Sequence, residues 1–571
     1  MAETAARVRK DVYVPMRDGV GLATDIYLPD GPGPFPSLLT RSPYGKDGLI
    51  GQGAVQRALR WAAKGYAVLV QDCRGSGHSE GDYHYYLDDA ADGHDTIEWT
   101  AKQPWCTGKV GVFGTSYGAN AGYLAAPTQP RGLAAMVMML GTSNNYLDGR
   151  WRGGMWHAAH GAYWAQLVEM NTGPKPFLDG GGNAETVRRR RDVHLNRARQ
   201  AVERMRGGQG NPFATTFLID SYQHPAFDDY WRQQSIDDKY DRVAVPTIHV
   251  AGMYDQFERG NIQNYVGFSS NPKAGPQVLI LGPWIHAAIE EPWVLKLEEA
   301  WFDHWLTGQS SPQVEAALEF PVRTFVVGAD DAAEGPQSGR WRLEREWPVA
   351  RTEFRRYYFR QKKSGSASSP NDGSLSVDPP GAEDADTLAY DPGSKDLPGS
   401  IGLRSLAIGG NNPGSDQRTD ESSGQVLTYT TEALDGDLEI TGPITVELFA
   451  SSSASDQDWI VHLTRVYKDG TSWLMTDGLL KASHRQSHEN PEAVSPGEVY
   501  RMEIEVWPTS QLLRHGQRLR VDVMNATFPK VEPCPYVSTN RVFHDLEHPS
   551  SILLPVIPID SGGVWVDSKQ P

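Results

Sequence analysis

One serine in the sequence has the surroundings of a catalytic nucleophile. Ser116 lies in the string GTSYG (Gly114 to Gly118), directly after the apolar run Val110 to Phe113 and before the small-residue stretch Ala121 to Ala126. This order indicates a strand, a tight turn and a helix. Glycines two residues on either side of a serine permit the strained turn that exposes its hydroxyl at the edge of a sheet. The string alone is short, so the prediction rests on this context.

A serine hydroxyl needs a histidine base, and the imidazolium that forms needs a carboxylate beside it. Asp255 follows the apolar run Thr247 to Ala251, and His286 follows the run Gln277 to Leu281. The carboxyl ends of parallel strands meet at one edge of an open α/β sheet, where ligands gather. Three strands would therefore bring Ser116, Asp255 and His286 together, in the chain order of α/β-hydrolases.

Each of these residues also has an ordinary structural interpretation. Asp255 could be a turn residue, and His286 a hydrogen-bonded loop histidine. Three other candidates fit the order less well, because one histidine is inside a strand, one lies in a helical stretch and the aspartate precedes the nucleophile: His249, His304 and Asp72. The joint placement of all three residues after strands favours the catalytic interpretation.

An oxyanion formed at the substrate carbonyl needs hydrogen-bond donors. In such folds one donor is the amide after the nucleophile, here that of Tyr117, and the other comes from the loop after the third strand. That loop, Thr40 to Lys46, lacks a glycine run, and its evident donor is the phenol of Tyr44. Tyr44 could also be an ordinary packing aromatic.

Other motifs are weaker. His157 and His160 could share a helix face and bind metal, but no third ligand has recognisable spacing. The basic run Arg188 to Arg191 is interpreted as a solvated helix face, and the acidic run Asp88 to Asp95 as the start of a helix. The sequence has no phosphate-binding or dinucleotide fingerprint, and the proposed chemistry needs neither metal nor cofactor.

The elements around these residues predict an α/β fold followed by a β domain. Short apolar runs alternate with amphipathic stretches up to about residue 143 and again from 241 to 348, as expected for one discontinuous α/β domain. Residues 144–240 read as a helical insertion, a cap on that domain. Residues 349–571 alternate polar and apolar side chains and predict a β sandwich or jelly roll.

Composition narrows the classes of partner. The 571 residues carry 54 Lys and Arg against 71 Asp and Glu, a net charge of −17, which argues against nucleic acid and anionic membranes. Three scattered cysteines indicate a reducing compartment, and the N-terminus has no apolar signal segment. We therefore expect a cytoplasmic protein with a small-molecule substrate.

Several motifs resemble the bacterial cocaine esterase and X-Pro dipeptidyl-peptidase family of α/β-hydrolases, and the esterase branch in particular. They span nearly the whole chain: PMRDGVGLATDIYLP, RSPYGK, QDCRGSGHSEG, GVFGTSYG, AGMYDQF, LGPWIH, DQRTDESSGQVLTYTTEAL and FASSSASDQDWIVHLTRVYKDG. The resemblance implies an α/β-hydrolase domain, a helical cap, a C-terminal jelly roll and an oxyanion hole formed by the Tyr44 hydroxyl and the Tyr117 amide. It is compatible with a homodimer.

The resemblance also implies an acyl pocket lined by Trp151, Trp164, Phe257, Leu406 and Ala407. Ala407 stands where the cocaine-hydrolysing member has an aromatic residue, so benzoyl specificity is not carried over. Family members that act on α-amino acid esters have several acids after the triad aspartate, whereas this chain has only Glu258 there.

We therefore expect a carboxylic ester hydrolase that forms an acyl-enzyme on a small to medium acyl or aryl ester. An amide-bond acylase, a peptidase or an acyltransferase would use the same triad, and sequence does not separate them. A carbohydrate-binding protein with a vestigial triad is a more remote alternative.

Overall fold

The structure of the protein is a computed structural model that describes residues 6–48, 50–172, 184–206, 216–286, 289, 291–330, 335, 338–399, 415–559 and 561–566. None of the helices in these ranges combines the length and the apolar character that a membrane crossing requires.

The first part of the chain alternates strands and helices. Its elements are, in order, β1 (Arg7–Pro15), β2 (Gly21–Leu28), β3 (Phe35–Ser42), α1 (Gly51–Ala63), β4 (Ala67–Asp72), α2 (Asp89–Ala101), β5 (Cys106–Thr115), α3 (Tyr117–Ala125) and β6 (Leu133–Met139). The apolar run Val110 to Phe113 lies in β5, as predicted, because it is buried on both faces of the sheet, and β3, β4 and β6 are buried in the same way.

An insertion separates β6 from the next strand of the sheet. It begins with a π-helical turn at Asn145–Arg150. Its described residues continue with a two-strand hairpin and four helices: β7 (Trp151–Arg152), β8 (Met155–Trp156), α4 (Ala158–Thr172), α5 (Ala184–Arg206), α6 (Thr216–Gln223) and α7 (Asp229–Gln233).

The chain then returns to the sheet. The elements of this part are β9 (Thr247–Gly252), α8 (Glu258–Ser270), β10 (Gln277–Gly282), α9 (Pro292–Phe302), α10 (Pro312–Glu319), β11 (Val322–Val327) and β12 (Gly339–Glu344). Strands pair in the order β1-β2-β4-β3-β5-β6-β9-β10-β11-β12. The pairs from β4 to β11 are parallel, so β5, β9 and β10 end at the same edge.

Hydrophobic side chains fill both faces of this sheet. On one face Val68 and Val137 pack with Trp61 of α1 and Trp301 of α9. On the other face the alternate strand positions pack against α2 and α3. The part of the chain from β1 to β12 is therefore an α/β fold, a mostly parallel sheet covered by helices on both sides.

The remaining chain is dominated by strands. They are β13 (Glu353–Arg360), β14 (Gly373–Ser376), β15 (Asp386–Tyr390), β16 (Val426–Thr430), β17 (Leu438–Ser452), β18 (Asp458–Val466), β19 (Ser472–Lys481), β20 (Tyr500–Leu513), β21 (Arg518–Met524), β22 (Ser538–Phe543), β23 (Ser551–Ile557) and β24 (Val564–Val566), with the short helix α11 (Arg418–Glu421) before β16.

Pairing among these strands closes on itself. The ring runs β13-β14-β16-β21-β18-β19-β20-β17-β23 and back to β13. Alternate side chains of the ring, among them Ile440, Val461 and Val521, form its core. The last strand described, β24, lies outside the ring and pairs with β12 of the first sheet. The C-terminal part is thus a closed β structure attached to the first sheet.

Candidate active site

Ser116 occupies the turn between β5 and α3. Its backbone has φ 57° and ψ −121°, a conformation that a residue with a side chain adopts only where the surrounding structure enforces it. A Cβ atom on Gly114 would lie 2.3 Å from the backbone of Gly118, so the glycine two residues before the serine is required by close approach. The Ser116 amide donates a hydrogen bond to the carbonyl of Met139 at the end of β6, 2.9 Å away, which fixes the turn against the sheet.

The three predicted side chains lie together at this edge. His286 Nε2 is 2.9 Å from Ser116 Oγ, and His286 Nδ1 is 2.5 Å from Asp255 Oδ2. Asp255 is buried, and its other oxygen accepts a hydrogen bond of 2.7 Å from the Phe257 amide. The carboxylate is thus fixed in orientation and directed at the imidazole.

The loops that carry Asp255 and His286 are joined to each other. The Met253 amide donates to the Gly282 carbonyl at 2.8 Å, and the Tyr254 amide donates to the Trp284 carbonyl at 3.0 Å. These bonds extend the pairing of β9 and β10 past the ends of the strands. The acid and the histidine are therefore positioned by one continuous backbone framework.

The Tyr44 hydroxyl reaches the same place from the loop after β3. It accepts a hydrogen bond of 2.8 Å from the Trp164 indole nitrogen, and it lies close to the Ser116 side chain. Burial raises the pKa of Tyr44 to about 12, so the phenol keeps its proton near neutral pH. An indole N–H can only donate, which leaves the Tyr44 proton available for a second acceptor.

Tyr117 is the first residue of α3. Its amide is one of the four at a helix start that have no acceptor within the helix, and it therefore remains available to a ligand. Its side chain points elsewhere: the phenol donates to Asp89 at 2.6 Å, and the ring stacks on Tyr86 with a centroid distance of 4.0 Å.

Two of the five predicted pocket residues contact the triad or the tyrosine beside it. The Phe257 ring stands perpendicular to the His286 ring with 5.2 Å between centroids, and Trp164 bonds Tyr44. The Trp151 ring packs within the insertion, against Trp156 at 5.4 Å, and its indole donates to the Ser221 carbonyl. Leu406 and Ala407 lie outside the described residues.

Most of the chain matches two known protein families. Residues 18–288 match the X-Pro dipeptidyl-peptidase (S15 family), and residues 309–551 match the X-Pro dipeptidyl-peptidase C-terminal non-catalytic domain. The chain is 32% identical to the cocaine esterase of Rhodococcus sp. over 96% of its own length and 98% of that protein. The chain therefore belongs to the X-Pro dipeptidyl-peptidase (S15) family.

A second sequence relative and a solved structure are similar to nearly the whole chain. A putative serine esterase of Mycobacterium bovis is 27% identical over 95% of each chain. The crystal structure of an aminopeptidase from a Thaumarchaeota archaeon superposes with a TM-score of 0.77 at 22% identity, covering 98% of this chain and 97% of that one. As a member of this family the chain is a serine hydrolase of the esterase type.

Some side chains near the triad carry no motif and escape sequence analysis. The Arg150 guanidinium lies 4.9 Å from the Trp164 ring centroid, 4.7 Å from that of Phe217 and 5.3 Å from that of Tyr85. Arginine and aromatic residues scattered through a helical insertion give no periodic signal that would group them. Their association depends on how the insertion packs.

The two histidines of the HAAH string are both buried. Burial lowers the pKa of His157 and of His160 well below the usual value, so both rings are neutral. In the described part of the chain no cluster of three or more histidine, cysteine, aspartate or glutamate side chains is placed to hold a metal ion.

The expectation that the basic run Arg188 to Arg191 of α5 is a solvated helix face is wrong for one of its residues. Arg188 and Arg191 are exposed, as a solvated face requires, but Arg190 is buried and pairs with Asp11 of β1. Asp11 also pairs with Lys46, two residues after Tyr44. This part of the run therefore attaches the insertion to the hydrolase fold, because a carboxylate partner stabilises a buried guanidinium.

Proposed function

We propose that the protein hydrolyses carboxylic esters, with Ser116 as nucleophile, His286 as general base and acid, and Asp255 as the group that orients His286. The observation that carries this proposal is the hydrogen-bonded series from Asp255 through His286 to Ser116, with the serine on a strained turn at the carboxyl edge of the sheet.

Acylation would begin when Ser116 Oγ attacks the ester carbonyl carbon. The hydroxyl proton passes to His286 Nε2, and the imidazolium is stabilised by Asp255 at Nδ1. The carbonyl oxygen becomes an oxyanion that receives hydrogen bonds from the Tyr44 hydroxyl and the Tyr117 amide. When the C–O bond to the alcohol breaks, His286 returns the proton to the departing oxygen.

Deacylation would repeat these steps with water as the nucleophile. His286 takes a proton from water, the resulting hydroxide attacks the acyl carbon, and the same two donors hold the second oxyanion. The bond to Ser116 Oγ then breaks, the serine regains its proton from His286, and the carboxylic acid leaves. No cofactor takes part in either half-reaction.

A peptidase or acylase activity is the second candidate, because the matched family is named for an X-Pro dipeptidyl-peptidase. The same acyl-enzyme would form, with an amine in place of the alcohol. Turnover of an aryl ester and the matched anilide separates the two, and added amine or alcohol acceptors reveal acyl transfer. We expect the ester to be the faster substrate.

The test of the nucleophile is labelling with a fluorophosphonate, followed by peptide mapping, beside hydrolysis of a short acyl aryl ester. We expect the label on Ser116 and a loss of turnover of about 10⁴-fold or more in Ser116→Ala. Ser310→Ala, an exposed serine after α9, is the control and should behave as wild type. A wild-type protein that is neither labelled nor active would refute the proposal and favour a carbohydrate-binding protein.

The domain boundaries are proposed from the resemblance to the cocaine esterase and X-Pro dipeptidyl-peptidase family. We propose that residues 1–143 and 241–348 form the catalytic domain, that residues 144–240 are a helical cap, and that residues 349–571 are a jelly roll. The three cysteines, Cys73, Cys106 and Cys534, are unpaired and buried, which agrees with a cytoplasmic location.

A further inference from the structure

The insertion contains a buried guanidinium that lacks a counterion. Arg150 is 1% exposed, and its Nε and Nη1 atoms are buried without a hydrogen-bond partner. In the described part of the chain nearby arginines do have carboxylates, Arg152 that of Asp477 and Arg259 that of Asp148, whereas Arg150 has none. A charge buried without a partner is costly, so such an arrangement calls for an anion.

The rings around Arg150 compensate only part of this cost. Tyr85, Trp164 and Phe217 surround the guanidinium at cation–π distances. Aromatic faces attract a cation but offer no oxygen to its N–H groups. The Nε and Nη1 atoms of Arg150 therefore have no acceptor among the described residues, and an acceptor supplied by a ligand would satisfy them.

Arg150 is next to the proposed catalytic groups on two sides. On one side its guanidinium packs on Trp164, whose indole donates to Tyr44, and Tyr44 lies close to Ser116. On the other side the preceding residue, Gly149, approaches Phe257, with only 3.6 Å from the position of a Cβ to the ring, and Phe257 contacts His286. Gly149 and Arg150 thus lie next to Phe257 and Trp164 respectively, two of the predicted pocket residues.

A second polar side chain, that of His160, lies near Arg150. His160 is buried, both its ring nitrogens lack a hydrogen-bond partner, and its ring is perpendicular to that of Phe257 with 6.2 Å between centroids. It interacts electrostatically with both Arg150 and His286, so the three side chains lie in one region of the protein. A neutral imidazole offers one N–H donor to a ligand.

We propose that Arg150, assisted by His160, binds a carboxylate carried by the acyl part of the substrate, so that the preferred esters are monoesters of dicarboxylic acids. This inference rests on the proposed function of Ser116. Guanidinium and carboxylate form charge-assisted hydrogen bonds that fix orientation as well as add affinity. The net charge of −17 repels anions at long range, so a preference for them must come from a local site.

The test compares 4-nitrophenyl hydrogen succinate, glutarate and adipate with 4-nitrophenyl butyrate, valerate and hexanoate. We expect kcat/KM for at least one monoester to exceed that of its uncharged counterpart tenfold or more. A ratio at or below one at all three lengths would overturn the inference. Hydrolysis of the uncharged esters in that case would leave the proposed function standing, whereas no hydrolysis of any ester would reject that function too.

The location of the carboxylate is tested separately. 4-(Valeryloxy)benzoate carries the charge on the leaving group, and 4-(valeryloxy)benzamide is its uncharged match. A tenfold preference for the benzoate, without one for the monoesters, would overturn the assignment to the acyl side. A ratio near one here, together with the monoester preference, supports it.

Variants connect the preference to Arg150. In Arg150→Gln the monoester-to-uncharged ratio should fall at least tenfold, and Arg150→Lys should retain part of it, since the charge stays but the planar fork is lost. Arg232→Gln removes an equal charge from the surface of the insertion, where Arg232 pairs with Glu489, and should keep the wild-type ratio. An unchanged ratio in Arg150→Gln would overturn the inference. If that variant does not fold, competitive inhibition of the wild type decides: glutarate should inhibit at least tenfold more strongly than glutaramide, and equal inhibition would overturn the inference.

Discussion

The Tyr44 hydroxyl lies between a group that can only donate a hydrogen bond, the Trp164 indole, and the nucleophile Ser116. Tyr44→Phe removes this hydroxyl while keeping the ring. Because an oxyanion forms only in the transition state, we expect kcat to fall about 10²- to 10³-fold, about 2.7–4 kcal/mol, with little change in KM. Steady-state kinetics on an uncharged aryl ester measures both constants.

The control for this variant is Tyr222→Phe, which removes a hydroxyl that bonds Glu532 at the surface. It should leave both constants as in the wild type. The pKa of Tyr44, raised to about 12, adds a pH criterion: the folded protein keeps this proton up to about pH 11, so Tyr44 should cause no alkaline loss of kcat below that. A full kcat in Tyr44→Phe would remove Tyr44 from the oxyanion hole.

Single residues differ in how far sequence could find them. Ser116, Asp255 and His286 each follow a buried strand, and parallel strands bring their ends to one edge, so chain order was sufficient to place them together. Arg150 and His160 lie in the insertion, where no sheet register fixes which side chains meet. Only the packed structure shows that their nitrogens lack partners.

The turn between β5 and α3 is the element on which the site depends. In Gly114→Ala the new Cβ would lie 2.3 Å from the Gly118 backbone, which no side-chain movement relieves. We therefore expect the turn to shift, lowering kcat/KM at least 100-fold and the unfolding free energy by about 1–3 kcal/mol. Ester kinetics and urea unfolding measure the two effects.

Gly53→Ala in α1 is the matched control, because a Cβ there meets nothing within 4 Å. Alanine is favoured over glycine within a helix by about 1 kcal/mol, so this variant should be at least as stable as the wild type and equally active. Wild-type kinetics in Gly114→Ala would mean that the turn tolerates displacement and is not the positioning element.

Elements were predicted from sequence where local pattern decides them. Buried apolar runs indicated β5, β9 and β10, and the observed strands differ from the predicted runs only in where they begin and end. The closure of the C-terminal strands and the return of β24 to β12 depend on pairings between distant residues, which period-two alternation does not specify. Sequence could not predict the burial of Arg190 either, because its partner Asp11 lies far away along the chain, in β1.

At the scale of the whole molecule, one buried charge cluster joins the insertion to the C-terminal strands. Asp477 of β19 pairs with Arg152 of β7 at 2.9 Å and with Lys530 at 2.5 Å, and the Arg152 guanidinium lies 3.7 Å from the Trp507 ring centroid. These contacts hold in place the segment that follows Arg150. Asp477→Asn would leave two buried cations without this carboxylate, a change that costs about 3–5 kcal/mol of unfolding free energy.

The loss in Asp477→Asn should depend on pH. Burial lowers the pKa of Lys530 from 10.5 to about 8, so the folded protein binds fewer protons than the unfolded chain between these values, and stability rises with pH in that window. Without Asp477 the pKa of Lys530 falls further, and the window begins at lower pH. Urea unfolding should therefore show a smaller deficit at pH 9 than at pH 7. Asp229→Asn, an exposed aspartate of α7, should show no deficit at either pH, and an equal deficit of Asp477→Asn at both would contradict the assignment of Lys530 to this cluster.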